Sequence, residues 1–286
     1  MKKVISLVLV VLLAALTLGG CTQTGKTEYV ILDEVLATEE YGIGFRKADQ
    51  SLRNAVQQAL CDLKADGTAA TITKEWFGSD ISIIPASPTL VSAEDDSLQK
   101  VKNAGKLRVG LDDSFPPMGF RDVDQKLMGY DIDLARAVCE KLGVEPEFVS
   151  IDWDSKHTEL DGNNIDCIWN GFTINDERLG KCNMTEPYLT NKQVVVTIKG
   201  SGIEKLTDLE GKSVVLQKGS TAIEALDDHP EIKSIIKGGA PIAVDNNVLA
   251  MLELKNGISD AIVMDEVVAN YYASHPEDLA RDGKAD

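Results

Sequence analysis

An α/β fold with mostly parallel sheets is what this sequence predicts, and three observations lead there. From Lys106 onward, apolar stretches alternate with helical patterns. The apolar stretches are short, as strands are, and most are closed by Gly, Asn, Asp or Ser. The chain has 286 residues and 43% hydrophobic content, enough for a substantial core shared between two lobes.

Residues 1–20 stand apart from the fold. Lys2 and Lys3 precede an apolar run from Val4 to Leu18, the pattern of a signal peptide. The following Leu18-Gly19-Gly20-Cys21 resembles the lipobox of bacterial lipoproteins, which implies a lipidated Cys21 and an exported, membrane-tethered chain. Removing Lys2 and Lys3 takes the formal net charge from −17 to −19. That acidity argues against nucleic acid and anionic lipid surfaces as partners. Cys61, Cys139, Cys167 and Cys182 show neither a CxxC nor a metal-type spacing with His157, His229 and His275. Neither metal nor cofactor is expected. The cysteines are read as buried thiols or as partners in one or two disulfides.

The elements follow in order. Residues 29–36 and 41–46 read as two strands. Leu52, Ala55, Val56, Ala59, Leu60 and Leu63 recur at helical steps, with Asp49 or Ser51 as N-cap and Gly67 as stop. A short helix over 68–77 ends at Gly78. Pro85, Ser87, Pro88, Ser92 and Glu94-Asp95-Asp96 mark a linker over 79–100, with a short helix from Ser97. Strands are then expected at 107–111, 146–151, 165–169, 193–198, 212–217 and 261–264. Helices are expected at 130–142, 153–160, 221–226, 246–255 and 266–273. Residues 112–120 read as a loop, and Asn170-Gly171 as a tight turn leading into the helix that carries Arg178.

Open α/β sheets bind ligands beyond the carboxyl ends of their strands. Those ends carry Asp112 and Phe115; Trp153; Asn170, Gly171, Thr173 and Arg178; Gln217, Ser220 and Thr221; and Asp265. Arg178 suits a carboxylate, which a guanidinium grips through both oxygens. Asp265 suits an ammonium. Phe115 and Trp153 can flank a side chain, and Asp112 can read its polar tip. Together the groups describe a zwitterionic α-amino acid held at both charged ends. Other readings stand beside these: Phe115, Trp153 and Trp169 as core, Ser220-Thr221 and Asp265 as helix caps, Asp113 as a solvated loop residue.

L-R-V-G-L-D-D-S-F-P-P-M-G-F, G-Y-D-I-D-L-A-R-A-V, I-D-C-I-W-N-G-F-T-I-N-D-E-R, T-E-P-Y, Q-K-G-S-T-A and V-M-D-E-V-V-A-N-Y-Y come as a set. The set resembles the polar amino-acid-binding proteins of ABC transporters, bacterial solute-binding proteins of the type II periplasmic fold. The resemblance implies two mostly parallel sheets flanked by helices, with a ligand cleft between lobes. It implies Arg178, Thr173 and the Thr221 backbone on the ligand carboxylate, and Asp265 with the Asn170 region on the ammonium. Phe115 and Trp153 would flank the side chain and Asp112 would read its end. The family's usual Ser in this turn stands here as Asn170-Gly171. Lysine, arginine or ornithine is favoured as ligand, and glutamine or cystine also fits. A permease is the expected protein partner, and the chain is expected to be a monomer.

The order of segments departs from the family. T-E-E-Y-G-I-G-F-R-K, A-L-C-D-L-K-A-D-G-T and K-E-W-F-G resemble its C-terminal end, yet stand at residues 38–78. The expected arrangement is a circular permutation. Residues 21–36 are then a tether and strand of lobe 2, 37–78 and 101–190 lobe 1, 79–100 the joining linker, and 191–286 lobe 2. Tyr29–Leu32 should pair with strands of the C-terminal half, and residues 36–41 and 188–193 should be the hinges. A truncated tandem of receptors or an intermolecular swap would give the same order of segments. An enzyme on the same scaffold, dehydratase-like, is the competing function, with Glu159 or His157 near Trp153 as its candidate acid–base groups. A signalling sensor is disfavoured, since neither a transmembrane helix nor an output domain follows.

Overall fold

The computed structural model describes residues 27–279; the expected signal peptide and Cys21 lie outside the described residues. It opens on one long strand, β1 (Tyr29–Arg46), where two strands were expected. The intervening stretch stays extended because it has its own partner. Ala37, Thr38, Glu39, Glu40 and Tyr41 pair antiparallel with Gln193, Lys192, Asn191, Thr190 and Leu189. A ladder that satisfies each backbone group keeps even polar residues in strand form. Irregular register at Ile31/Val35 and Val35/Ala37 bends β1 between its two ends.

After β1 come α1 (Gln50–Ala65), α2 (Thr68–Phe77) and α3 (Ser97–Ala104). Then come β2 (Lys106–Leu111), β3 (Ser114–Phe115), β4 (Gly119–Arg121), β5 (Leu127–Met128), α4 (Tyr130–Leu142) and β6 (Glu145–Ser150). A 3-10 turn over Trp153–Ser155 leads into α5 (Lys156–Asp161). Next are β7 (Cys167–Thr173), α6 (Asp176–Lys181), β8 (Cys182–Met184) and β9 (Leu189–Ile198). The remainder is β10 (Val214–Gln217), α7 (Ala222–Asp227), α8 (Pro230–Ile235), β11 (Ile242–Val244), α9 (Asn247–Lys255), β12 (Ala261–Asp265) and α10 (Glu266–Ser274). Two features differ from the sequence pattern. The expected loop over 112–120 contains β3 and β4, which with β5 form a small antiparallel sheet. Strand β8, the edge strand β11 and helix α8 are additions to the expected elements.

The main sheet runs β11-β10-β12-β9-β1-β7-β2-β6, with β8 also on β1. Pairing is parallel at both flanks, β10 with β11 and β12, and β2 with β6 and β7. It is antiparallel in the middle, where β1 meets β7, β8 and β9, and β9 meets β12. The two expected sheets are thus two halves of one hydrogen-bonded path, joined through β1. Its first residues, Tyr29, Val30 and Ile31, pair with Ile198, Thr197 and Val196, while Gly44 pairs with Met184 and Ile168. One strand therefore belongs to both halves.

Helix α1 buries Leu52, Val56, Ala59, Leu60 and Leu63, the face its spacing assigns. Each large apolar side chain so buried stabilises by roughly 1.5–3 kcal/mol. Trp169 is fully buried in the same core. Cys61, Cys139, Cys167 and Cys182 are buried free thiols, the first of the two states expected of them. The cap of α1 comes from a distance. Neither Asp49 nor Ser51 makes the side-chain cap bond; the carboxylate of Asp95 accepts the Ser51 backbone N–H at 2.9 Å. It also accepts the Ser51 hydroxyl at 2.7 Å and the Ser97 N–H at 3.0 Å, stitching the linker to the starts of α1 and α3. Partial burial pushes this carboxyl up, but the hydrogen bonds from Ser97 and Ser51 prevail and hold it well below the usual range.

Asp95→Ala is expected to cost about 1–2 kcal/mol, the upper range of a lost N-cap, measured by urea denaturation at pH 7. Because the folded carboxyl is depressed, its contribution is present above about pH 4 and is lost as pH falls. The difference between native and variant should therefore shrink towards pH 2.

Candidate functional site

Residues 165–178 were expected to turn sharply at Asn170-Gly171; instead β7 runs straight through them to Thr173. The strand bulges. Gly42 and Gly44 of β1 face Phe172 and Ile168, so extra residues of β7 stand opposite Ile43. Gly171 carries the bulge with φ +55°. A Cβ there would lie 2.9 Å from the Phe115 ring and 3.2 Å from that of Tyr41. Beneath it, Asp131 of α4 accepts the Gly171 N–H at 2.8 Å. Burial pushes the Asp131 carboxyl up to about 7, against the lowering effect of that bond.

Beyond the bulge, Asn175 caps α6 by accepting the Arg178 N–H at 2.9 Å. The Arg178 guanidinium donates to the Thr173 carbonyl at 3.0 Å and lies 4.4 Å from the centroid of the Phe172 ring. It is buried, and among the described residues no carboxylate pairs with it. Burial lowers its pKa, partly offset by Glu39 and Asp265. Such a group is a ready partner for an incoming carboxylate.

One narrow cavity of about 10 Å³ is lined by Phe115, Trp153, Gly171, Thr173, Arg178, Gln217, Ser220, Thr221 and Asp265. The two halves are closed upon it. Asp112 and Asn170 stand behind its wall. The Asp112 carboxylate accepts from the Ser114 hydroxyl at 2.6 Å and from Gln217 at 2.8 Å, while Asn170 accepts the Asp112 N–H at 3.2 Å. Asp113 pairs with Arg121 instead. Ser220 and Thr221 make no side-chain cap on α7. The Ser220 hydroxyl donates to the Gln217 carbonyl at 2.7 Å, and the Thr221 hydroxyl accepts from Gln193 at 3.3 Å. A roomier cavity of about 710 Å³, lined by Trp76, Phe77, Tyr271 and His275, contains neither Arg178 nor Asp265. Chemistry rather than volume picks the site.

Asp265 ends β12 and accepts three hydrogen bonds on one oxygen, from Tyr41 at 2.6 Å, Asn191 at 2.7 Å and Gln193 at 3.0 Å. Burial, then the nearby Glu39 charge, pushes its carboxyl up to about 7. It does not cap α10. Sequence reasoning missed Glu39, Tyr41, Asn191 and Gln193. Their signal was the strand period of two, which puts Glu39 with Tyr41 and Asn191 with Gln193 on one face. It also missed Lys156, whose buried ammonium donates to the Trp153 and Gly219 carbonyls, both at 2.9 Å. Lys156 thus latches the two halves, helped by Asn175 on Glu224 at 2.6 Å. Burial, then Arg178, pulls the Lys156 pKa down to about 8. Gly219, at φ +69°, allows this close approach; a Cβ would meet Asp154 at 2.9 Å.

The acid–base pair an enzyme would need is not assembled. Glu159 is half-buried and accepts from Asn164, whereas His157 sits 3.4 Å from the Cys182 thiol. Burial pulls the His157 imidazole down to about 4, leaving it neutral near pH 7. Among the described residues, none cluster in a way that could hold a metal ion.

Comparison with known proteins follows the same lines. Residues 107–268 match the family model of bacterial extracellular solute-binding proteins, family 3. The chain is 32% identical over 179 residues to the L-cystine-binding protein of Escherichia coli, covering 62% of this chain and 65% of that one. The chain thus spans about 65% of the length of that curated relative. An arginine-binding extracellular protein of Bacillus subtilis is 30% identical, covering 72% of this chain and 78% of that protein. A histidine-bound substrate-binding protein of an ABC uptake transporter from Streptococcus pneumoniae superposes with a TM-score of 0.63 at 38% identity. That match covers 65% of this chain and 76% of that one. Among the described residues, no helix is long and apolar enough to cross a membrane.

Two outcomes are expected. Gly171→Ala should destabilise by at least about 1–3 kcal/mol, since positive φ disfavours Ala and the Phe115 and Tyr41 rings must move; urea denaturation measures this. The second concerns pH. Asp131 and Asp265 bind protons in the folded chain that the unfolded chain releases near pH 4. Folding stability without ligand should therefore fall, by about 1–3 kcal/mol, as pH rises from about 5 to about 8. Denaturation at the two pH values reads the sign.

Proposed function

The chain belongs to the bacterial extracellular solute-binding proteins, family 3, and on that premise we propose that it captures a polar α-amino acid between its halves for delivery to an ABC importer. One observation carries the reading. A single cavity gathers a guanidinium that no carboxylate pairs with among the described residues, a buried carboxylate, two aromatic rings and hydroxyls from both halves. Arg178 takes the ligand carboxylate, with the Thr173 and Ser220-Thr221 groups beside it. Asp265 takes the ammonium, and Phe115 and Trp153 flank the side chain. The relatives named for cystine, arginine and histidine support an amino-acid ligand.

Charge favours a cationic side chain. The buried ionisable groups around the cleft are Glu39, Asp112, Asp131 and Asp265 against Arg178 and Lys156. Acids outnumber bases, and burial pushes the Asp112, Asp131 and Asp265 carboxyls up, so ionising them out of water is costly unless a cation arrives. Lysine, arginine or ornithine carries net charge +1 and supplies that cation, with Gln217, and Asp112 behind it, at the distal end. Glutamine and cystine remain the neutral alternatives.

The chain is a circular permutation in this reading. Its lobes are residues 37–78 with 101–190, and residues 21–36 with 191–286. The pairing of β1 with both β9 and β7 supports it. So does a match confined to residues 107–268 although the fold uses residues 29–78 as well. Residues 36–41 and 188–193 form the paired hinge, and opening about it lets the ligand enter. Cys21 carries a lipid that holds a monomeric receptor at the outer face of the membrane.

Thermal-shift screening of the chain from Cys21 onward against the proteinogenic amino acids, ornithine and cystine tests the function. A ligand at 100 times its Kd adds about 2.7 kcal/mol, so a cationic amino acid should raise the midpoint clearly. No shift with any of them would defeat the reading, and an undiminished shift in Arg178→Ala would refute the carboxylate role. Because the ammonium needs Asp265 ionised, affinity should rise with pH by up to about tenfold per unit below pH 7 and flatten above it. Titration calorimetry at pH 5.5, 6.5 and 7.5 measures that slope.

A further inference from the structure

We propose that Glu39 is a positioning residue of the ammonium subsite, a second buried carboxylate that makes the subsite demand a cation. The inference rests on the amino-acid-binding reading and extends it to a residue outside the cavity wall. Glu39 lies on β1 opposite Asn191, where the two hinge strands pass between the halves. It is 8% exposed and Asp265 5%.

The two carboxylates share their donors. The Asn191 amide donates to Asp265 at 2.7 Å and to Glu39 at 3.1 Å. The Gln193 amide donates to Asp265 at 3.0 Å and to Glu39 at 3.1 Å. The Tyr41 hydroxyl completes Asp265 at 2.6 Å and the Thr173 hydroxyl completes Glu39 at 3.1 Å. Every one of these donors is neutral. Among the described residues no Lys, Arg or His forms an ion pair with either acid. The charged groups facing Asp265 are Glu39 from β1 and Arg178 from α6. Lys192 and Glu266, next along the chain on either side, satisfy each other at 3.1 Å.

Neutral donors solvate an anion but do not cancel it, and two anions out of water repel. An arriving ammonium supplies one positive charge and three N–H groups. Glu39 would thus raise the reward for a cation at Asp265 without touching it. The donors also come from different parts. Thr173 ends β7, whereas Asn191 and Gln193 lie on β9, beside β12 and Asp265. Glu39 receives all three on one oxygen, where β1 pairs with β7 on one side and with β9 on the other.

Glu39→Gln keeps the size and an acceptor oxygen but removes the charge. The first measurement needs no ligand: carbon-13 NMR titration of the Asp265 carboxyl. In the native chain it should titrate near pH 7, and in Glu39→Gln at least about one pH unit lower, the size expected for removing a like charge nearby. An unmoved Asp265 midpoint would overturn the proposal. The second is calorimetry with L-arginine, where the variant should bind at least about tenfold more weakly at pH 7.5. Its loss of affinity should also begin at a lower pH than in the native chain. Equal affinity with an unmoved pH profile would likewise overturn it. Failure of arginine to bind the native chain would count against the cationic-ligand reading, while the ligand-free titration still decides the Glu39 coupling. If Glu39→Gln does not fold, Glu39→Asp, which draws the charge back by one methylene, is read the same way with a smaller displacement.

Discussion

The antiparallel pairing of β1 with β9 is the constraint on which the rest depends. Both strands run from one half of the sheet into the other, and each parallel flank joins the fold through them. Strand periodicity then does the arranging. Side chains two apart share a face, so Glu39 with Tyr41 and Asn191 with Gln193 meet at the crossing. Asp265 is brought to the same place by β12 beside β9, and Thr173 by β7 beside β1. A slip of one residue in this pairing would send the whole set to the opposite face. The bulge in β7, held from below by Asp131, keeps Gly171 and Arg178 in line with that crossing.

The electrostatics of the closed cleft follow from this placement. Burial raises the carboxyls of Asp131, Asp265 and Asp112 and lowers the Lys156 ammonium. Each shift marks a charge that the fold keeps away from water at a cost. Structural groups meet the cost with hydrogen bonds, as Lys156 does on two carbonyls from opposite halves. Around Arg178 and Asp265 the compensation is incomplete, and both face the cavity. An α-amino acid brings the missing partners, one carboxylate and one ammonium, in a single molecule.

Much of this is legible in the sequence alone. Helix α1 shows its buried face at three- and four-residue steps, and α4 its Gly143 stop. Nine of the eleven proposed ligand-binding residues line one cavity because the rule of strand carboxyl ends locates residues by topology alone. What stays hidden depends on distant partners. The polar stretch 37–40 reads as a break between strands until β9 is known to lie beside it. Asp95 caps α1 through Ser51, 44 positions earlier in the chain, which no local motif reveals. Asn170-Gly171 has the composition of a turn, but a strand on each side of β7 makes it a bulge. Chain position alone assigns Asp112 and Asn170 to the ligand; in the fold they bond to each other, and Asp112 to Gln217, behind the wall.

The central claim is that one chain, its segments reordered, builds one complete amino-acid cleft. A crystal structure of the chain from Cys21 onward, grown with L-arginine, tests this most directly. One ligand per chain is expected, its carboxylate on Arg178, its ammonium on Asp265 and its side chain between Phe115 and Trp153, with β1 and β9 from the same molecule. Arginine bound away from Arg178 and Asp265, or a cleft completed by β1 of a second copy, would contradict it.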